Sequence, residues 1–146
     1  MNEAIAALEA EGWSHIPLDT FSATIDPVFT RGEPGVSREV AVKTNPGMAN
    51  NRADTVHGGA MMTFANIALG IGAVDAAGAP YCATVQLNYH FVRSVRVGQL
   101  VICRPQAVRR TSRLVFMRGL FEVDGEAAGS ADGIFQYFSG PALRAD

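Results

Sequence analysis

Little in this sequence points to metal, redox or membrane chemistry. Only two of its 146 residues are cysteine. Cys82 and Cys103 form no CxxC pair and have no histidine cluster nearby, so neither a zinc site nor a redox dithiol is indicated. Two buried thiols in a reducing compartment is the plain reading. Basic residues are missing from the first 12 positions, which carry Glu3, Glu9 and Glu11. A secretory signal needs a basic start and an apolar stretch, so a cytoplasmic location is expected. The most apolar segment, Ala60 to Val74, falls short of the roughly 20 residues that cross a bilayer, and no membrane partner is expected. The net charge of −2 gives no global reason to expect nucleic acid. A 48% hydrophobic content with so little net charge excludes a disordered chain. The length suits one domain, residues 1–146, with enough chain for a real core.

What is present reads as an α+β pattern. Residues 1–12 place Ile5, Leu8 and several alanines on one side of a short helix, which Gly12 ends. Gly32-Glu33-Pro34-Gly35 is a turn between two extended runs. The second run, Val36 to Thr44, alternates as a strand with one apolar face. Asn45-Pro46-Gly47 then opens a loop to about Val56. Ala60 to Ala77 is apolar nearly all round, so the helix it predicts must be buried on more than one side. A sheet, or a sheet and a partner subunit, must cover it. Gly78 and Pro80 end it.

The remainder predicts four antiparallel strands. Val85, Leu87, Tyr89 and Phe91 alternate with Thr84, Gln86, Asn88 and His90. Leu100 to Val108 is a second strand, bulged or on an edge at Pro105. Arg113 to Val123 is a third, and Asp124-Gly125 turns the chain into the fourth, Glu126 to Phe138.

Three segments together resemble a known family. His57-Gly58-Gly59 opens the apolar helix, Thr84 to Arg93 reads TVQLNYHFVR with Gly98 in the next turn, and Gly133-Ile134-Phe135 closes the pattern. The set resembles hotdog-fold acyl-CoA thioesterases, most closely the phenylacetate-pathway (PaaI-like) type, over about residues 25 to 138. The resemblance implies an antiparallel sheet wrapped around one long central helix (57–77 with its HGG turn). It also implies dimers joined through their sheets, commonly paired into homotetramers, with the active site between subunits and no cofactor or metal. Met61, Met62, Phe64, Tyr89 and Phe91 would line an acyl pocket or form core, core being the better reading for most.

The chemistry follows from residue types. Gly58 and Gly59 stand at a helix start, where backbone N–H groups lack intrahelical partners and the dipole adds partial positive charge. An acyl oxygen and its oxyanion would be stabilised there, and glycine allows close approach. A tight turn with no ligand is the bland alternative. His57 invites a general-base role, but the resemblance implies that it holds the loop. Asn51, six residues before His57, matches the family's Asn near the carbonyl or the attacking water; it also sits in a polar loop with Asn50 and Asp54. Thr84 matches a Ser or Thr that assists the water, or is simply a β-branched strand residue. Position 66 departs from the pattern. The family places a carboxylate nine residues after the HGG histidine, and here Asn66 stands there. An amide is no general base and a poor nucleophile near pH 7. Either the natural chain carries Asn, or an Asp was exchanged to trap a substrate. Asp54 and Asp75 are the nearest other carboxylates, and neither matches the position.

One more absence is informative. From Ala76 to Phe121 there is no Asp or Glu, while seven arginines occur, at 93, 96, 104, 109, 110, 113 and 118. Arg109, Arg110 and Arg113, with Thr111 and Ser112 between them, flank a hairpin and suit the phosphates of coenzyme A. A solvated edge is the alternative. The sequence therefore predicts an acyl-CoA thioesterase acting on an aryl- or fatty acyl-CoA and impaired by Asn66. The rival is a non-hydrolytic binder of acyl-CoA or acyl-carrier thioesters.

Overall fold

The computed structural model describes residues 1–140, so the expected domain end at 146 lies outside the described residues. Helix α1 (Asn2–Ala10) leads to strand β1 (Ser14–Ile16), a 3₁₀ turn (Thr20–Ile25), β2 (Val28–Arg31) and β3 (Glu39–Lys43). A second 3₁₀ turn (Pro46–Met48) precedes the long helix α2 (Gly58–Ala77). Strands β4 (Tyr81–Phe91), β5 (Leu100–Cys103), β6 (Gln106–Arg110), β7 (Leu114–Val123) and β8 (Glu126–Phe138) complete the chain. All pairings are antiparallel, in the order β1-β2-β3-β5-β7-β8-β4, with β6 also against β7. This is the hotdog arrangement, α+β, with α2 held against one face of the sheet.

Three local expectations need correction. The strand expected from Val36 starts only at Glu39, because Val36 donates its N–H to Glu33 O in a turn and stands 76% exposed. The strand expected over Leu100 to Val108 is two, β5 and β6. Pro105 cannot donate to a ladder, and the chain bends there before pairing again. The helix runs from Gly58 to Ala77, within the span 57–77 expected for it, and its 20 residues, unlike the shorter run Ala60 to Val74, are long and apolar enough to cross a membrane by length and composition. Its apolar surface is used within the fold instead. Met61, Phe64, Ala65, Ala68, Leu69 and Ala73 are buried against the sheet.

That packing holds the site in place. Phe64, Leu69, Phe121 and Phe135 are fully buried, and each such side chain contributes roughly 1.5–3 kcal/mol by leaving water. Gly72 lets α2 approach closely, since a Cβ there would lie 2.6 Å from both Met117 Cε and Pro105 Cβ. Gly78, at φ 62°, ends the helix in the left-handed region, its N–H on Asp75 O and the Ala79 N–H on Val74 O. A smaller cluster of Leu8, Trp13, Phe29 and Ala41 packs α1 on the opposite face of the sheet.

Candidate functional site

The loop before α2 fixes how the helix starts. Ala49 bridges Val56, Val56 N–H bonds Val95 O, and His57 N–H bonds Met48 O at 2.7 Å. Asn50 donates its amide to Thr55 Oγ1 and Val56 O, so it braces the loop. Asn51 beside it is exposed, and among the described residues its side chain has no hydrogen-bond partner.

His57 is the N-cap residue of α2. Its Nδ1 accepts from Gly59 N–H at 2.8 Å. The Ala60 and Met61 N–H groups both reach His57 O. Of the four free donors every helix start presents, only Gly58 N–H has no acceptor among the described residues. By sequence Gly58 and Gly59 have the same role, and the structure leaves it to Gly58. It also commits the Nδ1 lone pair of His57 to a cap, which leaves the proton of the neutral ring on Nε2.

Gly58 opens onto a cavity of about 360 Å³ lined by Met61, Tyr89 and Phe91 and by the polar Asn50, Arg93 and Ser94. A Cβ at position 58 would lie 3.1 Å from Phe91 Cζ, so glycine allows the ring and the helix start to meet. Of the five side chains considered for pocket or core, Met61 and Phe64 are core, Tyr89 is half-buried, and Met62 and Phe91 are exposed.

Further along α2, Thr84 Oγ1 donates to Asn66 Oδ1 at 2.5 Å. Simple alternation along β4 would place Thr84 opposite Leu87, Tyr89 and Phe91. A bulge between Thr84 and Gln86 makes Val85 an extra residue, and Thr84 pairs with Phe135, which faces the core. Bulges commonly re-aim side chains beside functional sites. No signal in the sequence marks this one. Asn66 lies eight residues after Gly58, about 12 Å along the axis.

The other carboxylates are engaged elsewhere. Asp54 pairs with Arg96 at 3.0 Å, both exposed. Asp75 takes both the Nε and the Nη2 of Arg38. Among the described residues, no group of three His, Cys, Asp or Glu side chains could hold a metal ion.

The arginines divide by partner. Arg93 pairs with Glu126, Arg96 with Asp54 and Arg104 with Glu39, while Arg118 bonds Gln106. Arg109, Arg110 and Arg113 have no carboxylate partner among the described residues. They do not form one cluster, however. Arg109 pairs with Phe116 and Arg110 with the core residue Val115, so the two point to opposite faces of the sheet. Arg110 lies over the Tyr137 ring, 5.3 Å from its centroid, and Tyr137 Oη donates to Thr111 O. Thr111 Oγ1 accepts from Leu114 N–H and closes the turn that carries Ser112 and Arg113. Thr84, Phe135, Val115 and Arg110 share one cross-strand row. Three strand spacings separate its ends, about 14 Å.

An antiparallel sheet around one helix that opens on a glycine pair, with a polar pair at its middle, is the architecture of a hotdog protein. The family model of the thioesterase superfamily matches residues 53–128, more than half of the chain, and the protein belongs to that superfamily. Solved structures agree in fold. Zebra fish thioesterase superfamily member 2 superimposes with a TM-score of 0.74 at 16% identity, covering 94% of this chain and 97% of its own. The Escherichia coli PaaI protein from the phenylacetic acid degradation operon gives 0.72 at 13% identity, covering 94% of each chain. The smu.793 protein of Streptococcus mutans, bound to acetyl CoA, gives 0.72 at 12% identity, covering 86% of this chain and 98% of its own. No curated protein sequence matches this one.

Proposed function

We propose that this chain is an acyl-CoA thioesterase by architecture, shaped for the thioester of an aryl- or fatty acyl-CoA and impaired as it stands by Asn66. The observation that carries the reading is one helix with two features: a Gly58 N–H at its start with no acceptor among the described residues, and Asn66 bonded to Thr84 about two turns later. The acyl oxygen docks on Gly58 N–H, where the helix dipole and the N–H stabilise the charge of the tetrahedral intermediate. A carboxylate at position 66 would attack the carbonyl or deprotonate water, with Thr84 as hydrogen-bond donor to it. Asn66 can do neither. With Oδ1 accepting from Thr84, its NH₂ is left to donate, and neither end takes a proton near pH 7.

The two features lie too far apart to act on one carbonyl within one chain. The complete site is therefore placed between two copies, Gly58 from one and the Asn66–Thr84 pair from the other. Strand β4 supports this, since it ends the sheet order and runs 11 residues with Val85 and Phe91 more than half exposed. A homodimer through this edge, doubled into a homotetramer, is the assembly we infer. Arg110 and Arg113 hold coenzyme A phosphates, a reading favoured by their lack of carboxylate partners among the described residues. The acetyl CoA on the S. mutans neighbour is consistent with it. Two free thiols fit a cytoplasmic location.

The rival, a protein that binds acyl-CoA or acyl-carrier thioesters without cleaving them, is favoured by the Asn66–Thr84 bond itself. Release of free thiol from an acyl-CoA panel, measured beside calorimetric binding, tests the primary reading. Binding with slow or undetectable release supports it. Ordinary enzyme rates from the Asn66 form, or no binding of any acyl-CoA, contradict it.

A further inference from the structure

The wall of the recess beside Gly58 is held from behind by a residue outside the site. Gly129 in β8 pairs with Phe91 on one side and Phe121 on the other. The Tyr89 ring, from the neighbouring row, leans over this glycine. It packs edge-on to Phe91 at 4.7 Å and to Phe121 at 5.4 Å. A Cβ at position 129 would overlap the Tyr89 hydroxyl and Cζ and lie 2.9 Å from its Cε1. The Tyr89 hydroxyl has no hydrogen-bond partner among the described residues, and burial pushes its pKa up to about 12. Nothing polar therefore holds the ring where it is; the missing side chain at 129 does.

We propose that Gly129 sets the size of the acyl group this protein accepts, by letting Tyr89 fold back from the recess beside Gly58. The proposal rests on the acyl-CoA reading above. Its physical basis is directional. Phe121 is fully buried, so the ring cannot retreat into the core. A methyl group at 129 drives it forward, into the open volume that it lines with Met61, Phe91 and Val95 and with the polar Asn50, Arg93 and Ser94. At about 360 Å³ that volume lies near the lower end of ligand pockets. The second copy at β4 would close this recess further, and a forward displacement of Tyr89 takes volume that a bulky acyl group needs. An acetyl group needs little of it.

Calorimetry with uncleavable ligands tests this without requiring turnover. The probes are coenzyme A thioethers in which a CH₂ separates sulfur from the ketone: acetonyl-CoA as the small member and phenacyl-CoA as the bulky one. Gly129→Ala should weaken phenacyl-CoA relative to acetonyl-CoA by about tenfold or more, the scale of a methylene misfit. Tyr89→Ala should shift the preference toward phenacyl-CoA, and adding Gly129→Ala to it should change nothing further. Equal effects of Gly129→Ala on both probes, or an effect that persists without the Tyr89 ring, would overturn the proposal. If thermal melting shows Gly129→Ala unfolded, Tyr89→Ala alone decides: an unchanged preference overturns the proposal. Failure of the unsubstituted chain to bind either probe, or coenzyme A itself, would instead overturn the acyl-CoA reading beneath it.

Discussion

Thr84 donates its hydroxyl to Oδ1 of Asn66 at 2.5 Å, joining the edge strand β4 to the middle of α2. The contact exists because Val85 is an extra residue in the strand, which turns Thr84 toward the helix. A hydroxyl donor aimed at the side chain of residue 66 would be of direct use to a carboxylate there, because it would orient the oxygen that attacks or takes the proton. With Asn in place, the same bond fixes the orientation of the amide.

The bond yields a first prediction. In an Asn66→Asp background, Thr84→Val keeps the side-chain shape and removes the donor. Turnover should fall by about tenfold or more, with KM changed little, as expected for a group that acts on the reacting atoms. Steady-state kinetics on a cleavable acyl-CoA checks this; an unchanged kcat would detach Thr84 from the chemistry.

His57 offers a separation of roles. Its Nδ1 caps the helix at Gly59 N–H. His57→Ala should cost about 1 kcal/mol, seen as a melting point lower by several degrees. His57→Asn retains a capping oxygen and should restore most of that loss. It should also leave thioester binding, and turnover in the Asn66→Asp form, close to the parent values. A large loss of turnover in the well-folded His57→Asn protein would show that the imidazole moves a proton.

The arginine hairpin makes a comparison within one strand possible. Arg110→Ala and Arg113→Ala should each weaken acyl-CoA binding more than binding of a short pantetheine thioester, which lacks the nucleotide phosphates. Arg109→Ala, on the other face, should do much less. The losses should shrink as salt rises. Equal losses for both ligands, or a larger effect at Arg109, would place the phosphates elsewhere.

Cys103 predicts a loss of stability in alkali. Burial first, and the nearby Glu122 charge second, push its thiol from an ordinary 9.0 up to about 12, with Arg104 opposing. The folded protein thus keeps a proton that the unfolded chain releases above pH 9. Stability is fully present below that pH and falls as pH rises toward 12, at about 1.4 kcal/mol per pH unit from this group. Denaturant titrations of the protein and of Cys103→Ala, at pH 8 and 11, check the sign. The gap between them should narrow at the higher pH. A gap that stays constant would mean that the thiol is not protected.

Much of this architecture is legible in the residues. An 18-residue stretch without a polar face, followed by alternating runs, demands a helix wrapped by a sheet. The HGG turn marks where that helix starts. Other features depend on contacts that no local pattern reports. The bulge at Val85 interrupts an alternation that reads as perfect in the sequence. The opposite orientations of Arg109 and Arg110 follow from how β6 pairs with β7, since adjacent arginines look like one cluster until the strand is known. The choice of Gly58 over Gly59 as the free donor depends on the rotamer of His57. Gly129 reads in the sequence only as a bend in the last strand, because its importance is the space that Tyr89 occupies.

The central claim is that position 66 is the seat of a missing carboxylate. Asp and Asn share nearly the same shape, so Asn66→Asp should fold and keep the bond from Thr84. A positioned base or nucleophile contributes about 10²-fold or more, about 2.7 kcal/mol of barrier. Thiol release from a broad acyl-CoA panel, measured on both forms together with binding, is the most direct test. The account predicts a rise in turnover of about 10² or more on at least one aryl or fatty acyl-CoA, with affinity little changed. No gain on any member of the panel, with the Asn66 form already turning over at ordinary enzyme rates, would contradict it.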